Sequence, residues 1–341
     1  MNICQVVASQ GKGGLEKHVQ DLSVGLAERG HRVLVIAPPD FLRTLPETLE
    51  KQPMHAGLSR YNPLLLGDLF FKLRASGCDI IHAQANKATS LVGSVGRFLP
   101  QPVVATLHNI KSNLRPFRRA DHVITVSRQL MRPFDPAKST VIYNGTRQAP
   151  VAERLNVREV FNLPPDRPVL LAVGRLVEAK GFDILLEAVH GLSLSLLIVG
   201  DGPEKEHLEK KIAQLPPQTL CRLTGYRADV ADLMHGVDAV VIASRREGFS
   251  YVLSEALLCK SLVLSTDVPV ANEVLPPELI VPVNDAQALR ERLVSLLVDQ
   301  PRWRNLMAPA WDFAGKELLL SSMIDKTEAF YRQVLEARLR A

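Results

Sequence analysis

Short apolar runs alternate with amphipathic segments along most of the chain. After the run "NICQVV", apolar residues recur at helical spacing until Gly30 ends the pattern. These residues are Leu15, Val19, Leu22 and Leu26. Apolar runs that alternate with helical patterns are typical of parallel sheets joined by crossover helices. The pattern therefore predicts an α/β fold with buried strands.

The predicted strands fall into two groups. The first group is "NICQVV", "RVLVIA", "DIIHAQ", "PVVATLH", "HVITVS" and "TVIYNG"; the second is "VLLAVG", "LSLLIVG", "LCRLTG", "DAVVIAS", "SLVLST" and "LIVPV". The segment "TRQAPVAERLNVREVFNLPPDRP" between them is rich in proline and predicts a linker with one short helix. Two such groups predict two Rossmann-like domains that face each other across a cleft, with ligands beyond the carboxyl ends of the strands.

The last stretch, "ELLLSSMIDKTEAFYRQVLEARLRA", predicts a long amphipathic helix. Its expected apolar positions are Leu320, Met323, Ile324, Phe330, Val334 and Leu335. We expect this helix to pack back toward the first domain, with a role at a membrane surface as the alternative. The predicted domains are thus 1–150, 151–315 and the returning helix 316–341.

Composition narrows the kinds of partner. The chain has 341 residues, of which 46% are hydrophobic, enough for two buried cores. A net charge of +5 favours anionic partners, but 5% aromatic residues without interleaved basic residues argue against nucleic acid. No apolar run is long enough for a membrane span or a signal peptide, so we expect a cytoplasmic protein.

The four cysteines predict neither a metal site nor a disulfide framework. Cys4, Cys78, Cys221 and Cys259 lie far apart and none belongs to a Cys-x-x-Cys pair. We expect four reduced thiols.

The loop "SQGKGGLEKH" resembles the nucleotide loop of one ATPase class, whose pattern continues Lys-Gly-Gly-x-Gly-Lys-Ser/Thr. Glu16 stands where that pattern needs glycine, and His18 stands where it needs a hydroxyl that binds magnesium. A carboxylate repels a triphosphate, and the missing hydroxyl removes a metal ligand. The sequence therefore disfavours an ATPase, although Lys12, Gly13 and Gly14 are in place.

Two segments of the second domain carry candidate chemistry. In "VLLAVGRLVEAKG", Gly174 ends a strand, and Arg175 and Lys180 follow on the loop. Two cations at the mouth of a sheet favour an anionic ligand, and two solvated side chains are the alternative. In "SRREGFSYVLSEALLCK", Glu247 and Glu255 flank a helix start that Ser250 can cap. Carboxylates accept hydrogen bonds from sugar hydroxyls, whereas a solvated loop charge and an ordinary helix residue remain the alternative.

These motifs occur in the order typical of a known family. "GKGGLEKHVQDLSVGLAERGH", "TLHN", "ADHVITVS", "VIYNGT", "VGRLVEAKG", "LLIVGDGP" and "REGFSYVLSEAL" resemble the retaining glycosyltransferases of family GT4, which have the GT-B fold. The resemblance covers nearly the whole chain, and the Glu-x7-Glu motif is its centre. It implies that the second domain binds a nucleotide-diphosphate sugar, that the first binds the acceptor, and that the reaction occurs in the cleft.

The resemblance assigns roles in the second domain. Arg175 and Lys180 match the pair that holds the diphosphate, with Gly174 beside them. Glu255 matches the acid that binds the ribose, and Glu247 matches the acid at the donor sugar's hydroxyls. The residues that would offer backbone N–H groups to the phosphate and sugar are Gly248, Phe249 and Ser250.

In the first domain, His108 matches a histidine that lies against the donor sugar. Gly13 and Gly14 match the loop that approaches the phosphate and the acceptor, whereas Asn144 and Gly145 match a structural turn. We therefore expect His108, Arg175, Lys180 and Glu247 to form the catalytic set.

One segment departs from the family pattern. Many relatives have "GxPVVATDVGG" where this chain has "KSLVLSTDVPVANEVLP". Ser261, Val268 and Pro269 lie in or near the expected glycine and proline positions, and Glu273 aligns with the acid that follows. This region of sugar contacts is therefore left open.

The expected reaction needs no cofactor and no essential divalent ion. Arg175 and Lys180 can stabilise the departing diphosphate, and the Asp-x-Asp signature of metal-dependent glycosyltransferases of another fold is absent. Retention of the anomeric configuration is implied by the family. Because the sequence positions no carboxylate pair of the glycosidase type, we expect a same-face reaction in which the leaving phosphate helps deprotonate the acceptor. A nucleotide-sugar epimerase and a catalytically silent sugar-nucleotide binder remain the alternatives.

The acceptor is less clearly indicated. Lys111, Arg115, Arg118 and Arg119 follow His108 and, by resemblance, lie on the cleft side. They favour a phosphorylated or lipid-linked glycan, such as a lipopolysaccharide core, at the cytoplasmic membrane face; a solvated basic loop is the alternative. For the donor, UDP-glucose or a related UDP-hexose comes first and GDP-mannose next.

Overall fold

The computed structural model describes residues 1–9, 11, 13–148 and 155–340, so Lys12 and the predicted boundary between residues 150 and 151 lie outside the described residues. The chain divides into two compact units. The first unit comprises Met1–Gly145 and Leu319–Ala341, and the second comprises Thr146–Leu318. The chain therefore leaves the first unit, completes the second, and returns to the first.

The first unit contains a seven-stranded parallel sheet with the order β3-β2-β1-β4-β5-β6-β7. Its strands are β1 (Asn2–Val7), β2 (Arg32–Ala37), β3 (Glu50–Pro53), β4 (Ile80–Gln84), β5 (Val103–Leu107), β6 (His122–Thr125) and β7 (Ser139–Val141). Its helices are α1 (Gly14–Glu28), α2 (Pro39–Leu42), α3 (Pro63–Ala75), α4 (Ala85–Val95), α5 (Arg128–Met131) and α14 (Leu320–Arg340), with 3-10 turns at Gly96–Phe98 and Phe117–Arg119.

All six strands predicted for this unit are present, but the sequence missed β3. This strand, "EKQP", pairs with β2 at the edge of the sheet, and each of its four residues is partly or fully exposed. An edge strand that contributes little to the core lacks the apolar run by which buried strands are detected.

The helix α14 packs on α1 and completes the core of the first unit. Met323, Ile324, Tyr331 and Val334 are buried with the apolar face of α1. A Cβ atom at Gly25 would lie 2.1 Å from Ile324 Cδ1, so glycine allows the two helices to approach closely. The sequence missed Tyr331, which lies fully buried on this face.

The second unit contains a six-stranded parallel sheet with the order β10-β9-β8-β11-β12-β13, and all six predicted strands are present. The strands are β8 (Val169–Val173), β9 (Leu194–Val199), β10 (Thr219–Gly225), β11 (Ala239–Ile242), β12 (Val263–Thr266) and β13 (Ile280–Val281). The helices are α6 (Val157–Val160) in the predicted linker, α7 (Phe182–Val189), α8 (Lys205–Ile212), α9 (Val230–Gly236), α10 (Tyr251–Leu258), α11 (Ala271–Val274), α12 (Ala286–Val298) and α13 (Gln300–Glu317), with 3-10 turns at Glu178–Lys180 and Pro277–Leu279.

Each sheet reverses its strand order at one point, between β1 and β4 in the first unit and between β8 and β11 in the second. In open parallel sheets, ligands bind at the carboxyl ends of the strands that flank such a point. The loops that leave these four strands are therefore where the functional residues are to be sought.

Candidate active site

In the second unit, a glycine turn holds the loop that carries Arg175. Leu176 N donates to Asp201 O at 2.9 Å, and Glu204 N donates to Leu176 O at 3.0 Å. A Cβ atom at Gly202 would lie 2.4 Å from Leu176 O, so only glycine lets the two segments pack this closely. The motif "VGDGP" thus positions the loop, while the Arg175 side chain remains exposed.

The next turn is fastened to the loop that follows β11. Gly181 has φ +65, and a Cβ atom there would lie 2.0 Å from Ala243 O. Arg245 N donates to Ala179 O at 2.8 Å, and the Arg245 guanidinium donates to both carboxylate oxygens of Asp183 at 2.7 Å. These contacts bring the loops after β8 and β11 together.

As a result, two predicted site residues form an ion pair. Lys180 Nζ lies 2.5 Å from Glu247 Oε1, which also accepts a hydrogen bond from Ser244 Oγ at 2.9 Å. Glu247 is only 8% exposed, and the Lys180 side chain lies against Gly174, where a Cβ atom would come within 3.3 Å of Lys180 Cε. The cation predicted for the diphosphate therefore touches the acid predicted for the sugar.

Unpaired amide groups lie next to this ion pair in the sequence. Ser250 caps α10, because its Oγ accepts from Leu253 N at 3.3 Å. Gly248, Phe249 and Ser250 are buried, and within the described ranges their N–H groups have no hydrogen-bond acceptor. Amides at the start of a helix suit an anionic ligand such as phosphate. Glu255 lies half-buried in the second turn of the same helix.

The segment that departs from the family pattern keeps backbone conformations that favour glycine. When the shared letters "TDV" are aligned, Pro269 and Val270 take the places of the two glycines. Val270 has φ +71 and is fully buried, and Lys260, in the place of the earlier glycine, has φ +54. Both positions thus have a backbone conformation that glycine adopts most readily, although other residues occupy them. Glu273 follows on α11 and is half-buried.

In the first unit, His108 follows β5 and lies among other polar groups. Its Nε2 lies 2.8 Å from Gln84 Oε1, and its ring meets the ring of His18 edge-on with 4.6 Å between centroids. Burial, together with His18 and His82, holds the pKa of His108 well below its usual range. Burial also lowers the pKa of His18 to about 4 and that of His82 to about 3. All three histidines are therefore neutral at pH 7.

The sequence missed Gln84 and its buried neighbours Gln5, His82 and Tyr331. The signal that could have found them is a polar residue inside an apolar strand. Gln5 interrupts "NICQVV", and His82 and Gln84 alternate with apolar residues in "DIIHAQ". Buried polar groups need partners, so such residues indicate a polar network.

The packing of the first unit does not require glycine at the start of α1. Gly13 and Gly14 are exposed, and Gly13 has an extended φ of −164 that any residue can adopt. A Cβ atom at Gly13 would make only an ordinary contact of 3.6 Å with Glu16 Oε2. Glu16 itself accepts a hydrogen bond from Ser9 Oγ.

The four predicted acceptor cations do not form one patch. Lys111 and Arg115 are exposed on the loop after β5, whereas Arg118 and Arg119 lie in the 3-10 turn directly before β6. The amino end of β6 lies at the opposite edge of the parallel sheet from His108. Arg119 there lines a cavity with Val103, the first residue of β5, and Arg118 lines a different cavity. The expectation that Arg118 and Arg119 lie with His108 on the cleft side, at the carboxyl ends of the strands, is therefore wrong.

Two further observations concern predicted partners. Within residues 1–9, 11, 13–148 and 155–340, no cluster of three or more His, Cys, Asp or Glu side chains is arranged to hold a metal ion. In the same ranges, no helix combines the length and apolar character needed to cross a bilayer.

Known proteins match both units. The model for "Glycosyltransferase Family 4" matches residues 12–148, and the model for "Glycosyl transferases group 1" matches residues 153–310. The lipopolysaccharide core biosynthesis glycosyltransferase LpsE of Rhizobium meliloti is 28% identical over 265 residues, which cover 74% of this chain and 76% of LpsE.

Solved structures show the same fold. HepE of Anabaena in complex with UDP is 21% identical, with a TM-score of 0.84 over 98% of this chain and 100% of HepE. The lipopolysaccharide outer core galactosyltransferase WaaB is 15% identical, with a TM-score of 0.75 over 98% of this chain and 100% of WaaB. The protein is thus a glycosyltransferase with the GT-B fold. Within that class, the chain belongs to glycosyltransferase family 4.

Proposed function

We propose that this enzyme transfers a hexose from a UDP-sugar, UDP-glucose first, to a hydroxyl of a glycan or glycolipid acceptor with retention of the anomeric configuration. The observation that carries this proposal is the Lys180–Glu247 ion pair next to the amides of Gly248, Phe249 and Ser250, which have no hydrogen-bond acceptor among the described residues. The similarity to LpsE favours lipopolysaccharide core or other cell-envelope synthesis at the cytoplasmic membrane face. A structure of HepE contains UDP-glucose, which favours that donor.

The second unit binds the donor in this proposal. Arg175, exposed beside Gly174, and Lys180 hold the diphosphate together with the amides at the start of α10. Glu247 accepts hydrogen bonds from hydroxyls of the donor sugar, and Glu255 accepts them from the ribose. The contact between Lys180 and Glu247 supports a role for Lys180 at both the phosphate and the sugar in this proposal.

Catalysis requires the leaving diphosphate to be stabilised while positive charge develops on the sugar ring. The bond from the anomeric carbon to the phosphate oxygen breaks, and the acceptor oxygen forms a bond on the same face as its proton moves to the leaving phosphate. Fixed cations stabilise this charge without reorganising, so we propose that no divalent ion and no cofactor are needed. Loss of one such contact is expected to lower the rate about a hundredfold.

The first unit provides the acceptor side. Gly13 and Gly14 place no side chain at the start of α1, so that a ligand can approach the backbone there. His108 lies against the sugar as a neutral ring. Lys111 and Arg115 remain the proposed contacts to a phosphorylated or lipid-linked acceptor.

A panel of nucleotide sugars tests the donor. We expect UDP-glucose to raise the melting temperature more than GDP-mannose does, with the shift lost in Arg175→Ala and kept in the exposed control Lys210→Ala. Acceptor glycosylation is then followed by mass spectrometry, with and without EDTA, and the product anomer is assigned by NMR. An inverted anomer would exclude retention. Conversion of the UDP-sugar without acceptor would indicate an epimerase, and nucleotide binding without turnover would indicate a silent binder.

A contact with the membrane surface is also proposed, because an apolar stripe is exposed on and before α3. Leu58, Tyr61, Leu64 and Phe71 are between 42% and 79% exposed. Leu64 and Phe71 lie seven residues apart on one face of α3, which also carries the exposed cation Arg74. Apolar residues flanked by cations suit an anionic bilayer. Co-sedimentation with anionic vesicles is expected, and a Leu64→Ser/Phe71→Ser variant should lose it while keeping donor binding.

A further inference from the structure

A chain of hydrogen bonds in the first unit ends at His108. Gln84 Oε1 lies 2.8 Å from His108 Nε2, and Gln84 Nε2 donates to Gln5 Oε1 at 2.9 Å. Gln5 Nε2 donates to the Tyr331 hydroxyl at 3.2 Å, and that hydroxyl lies 2.5 Å from His82 Nδ1. Four separate elements, β1, β4, the loop after β5 and α14, thus meet in one polar network.

The network is dry. Gln5, His82, Gln84 and Tyr331 are at most 1% exposed. In such an interior, an amide group that turned over would leave donors facing donors, and an unpaired buried polar group costs about 1–3 kcal/mol. Each amide orientation is therefore tied to its neighbour's.

The amide orientations give the network one direction. Because the Tyr331 oxygen accepts a hydrogen bond from Gln5 Nε2, the Tyr331 hydroxyl donates its own hydrogen bond to His82 Nδ1. His82 Nε2 then donates to Thr106 Oγ1 at 2.6 Å. At the other end, the Gln84 oxygen can only accept, so the proton of the neutral His108 ring lies on Nε2.

His108 Nδ1 is then a bare acceptor. This atom is buried and has no hydrogen-bond partner among the described residues. A lone pair in that position repels phosphate and carboxylate oxygens, whereas it accepts a hydrogen bond from a hydroxyl group. The ligand group that suits it is therefore a hydroxyl of a sugar.

We propose that Gln84 is a positioning residue that fixes His108 as the Nε2–H tautomer, so that His108 Nδ1 accepts a hydrogen bond from a substrate sugar hydroxyl. Tyr331, on the returning helix α14, fixes Gln84 in turn through Gln5. The inference rests on the proposed function, in which His108 touches the sugar. It adds which atom of His108 makes the contact and which residues set its protonation.

The tautomer is read directly by NMR of the full-length enzyme labelled with ¹⁵N-histidine, with the His108 signals assigned by their loss in His108→Ala. We expect the wild type to show a protonated Nε2 and a bare Nδ1. A protonated Nδ1 in the wild-type enzyme would overturn the inference.

Two variants test the positioning role. Gln84→Met removes the acceptor of His108 at nearly constant volume, and Tyr331→Phe removes one oxygen further along the network. We expect kcat/KM to fall about tenfold in Gln84→Met and less in Tyr331→Phe, with a second tautomer visible in the His108 spectrum. An unchanged tautomer and unchanged kcat/KM in Gln84→Met would contradict the proposal.

Monodeoxy donor analogues identify the hydroxyl and separate the two levels of the proposal. With the wild-type enzyme, one analogue should react about tenfold more slowly than UDP-glucose. With His108→Ala, the same analogue and UDP-glucose should react at equal rates. If His108→Ala has full activity, the role of His108 in the proposed function fails. If His108→Ala is impaired but no deoxy analogue couples to it, the inference about Nδ1 fails and the proposed function stands.

Discussion

The carboxyl edges of the two sheets differ in the kind of polar group that they bury. In the second unit, a charged pair, Lys180 and Glu247, lies beside amides that have no acceptor in the part of the chain that the structure describes. In the first unit, the buried groups around His108 are neutral imidazole rings, carboxamides and hydroxyls, whereas the buried carboxylate of Glu16 lies in the first turn of α1, where it accepts a hydrogen bond from Ser9 Oγ. Buried charge is stable only beside an opposite charge, whereas neutral groups need only hydrogen-bond partners.

The two edges therefore suit different ligand groups. At the charged edge, a cation such as Lys180 can pair with a phosphate in place of a carboxylate, so this edge suits the diphosphate of a nucleotide sugar. A neutral edge discriminates hydroxyls by the direction of its hydrogen bonds.

Acid should destabilise the first unit most. His18 and His82 have folded-state pKa values of about 4 and about 3, below the value of 6.5 for an unfolded chain. Between those values the unfolded chain binds protons that the folded chain does not, so stability falls as the pH drops below 6.5. Each histidine costs about 1.4 kcal/mol per pH unit, so the two cost about 4 kcal/mol at pH 5.

Both tryptophans, Trp303 and Trp311, lie in the second unit, so their fluorescence reports that unit. Urea unfolding at pH 7 and pH 5 should show a larger acid shift by circular dichroism, which reports both units, than by fluorescence. His82→Asn should reduce that shift. Equal shifts by both methods would contradict the contrast.

Lys180→Met should lower kcat about a hundredfold, because it removes the cation at the charged edge and leaves Glu247 buried without it. Steady-state kinetics with a saturating acceptor measure the effect. The matched control is Lys210→Met, which breaks an exposed Lys–Glu pair of the same unit. Activity of Lys180→Met within threefold of the wild type would show that the ion pair is only structural.

Gly181→Ala should cost about 2 kcal/mol of unfolding free energy, because the added Cβ meets the backbone of Ala243 at positive φ. Gly225→Ala is the matched control, since its φ of +74 is similar but nothing lies within 4 Å. We expect only about 1 kcal/mol there. Chemical denaturation gives both values, and only Gly181→Ala should also lower activity by moving Lys180.

The smallest expected effect is a gain. Lys260 is exposed at the end of α10 with φ +54, and Ser261 N donates to Ala256 O in the hydrogen bond typical of a glycine-capped helix. Lys260→Gly should therefore stabilise the protein by about 1 kcal/mol without changing activity. Lys260→Ala, which keeps a side chain at positive φ, should bring no such gain.

Much of this fold could be predicted because buried parallel strands appear as apolar runs. The strand β3 could not, since an exposed edge strand carries little hydrophobic pattern. The residue types at the charged edge were also predictable, because Arg175, Lys180 and Glu247 lie on turns after strands. Their contact was not, because Lys180 and Glu247 are 67 residues apart and meet only through the docking of Gly181 on Ala243.

The neutral edge was harder to predict, because its properties depend on the directions of hydrogen bonds between buried side chains, and residue types alone do not reveal these directions. Gln84 and Tyr331 appear in the sequence as one polar letter in a strand and one aromatic letter in a helix. Only the packing of α14 brings Tyr331 next to Gln5 and His82. The expected position of Arg118 and Arg119 was wrong for a related reason. They are close to His108 in the sequence, but the chain between them passes from the carboxyl end of β5 to the amino end of β6.

The return of the chain to its first unit has a consequence for synthesis. A ribosome releases Thr146–Leu318 before Leu319–Ala341, so the second unit can close while the first still lacks α14. Until then Gln5 and His82 have no Tyr331, and the apolar face of α1 is uncovered. A nascent or prematurely terminated chain would therefore expose an incompletely folded first unit with uncovered apolar surface to chaperones and proteases, even when its second unit is already complete.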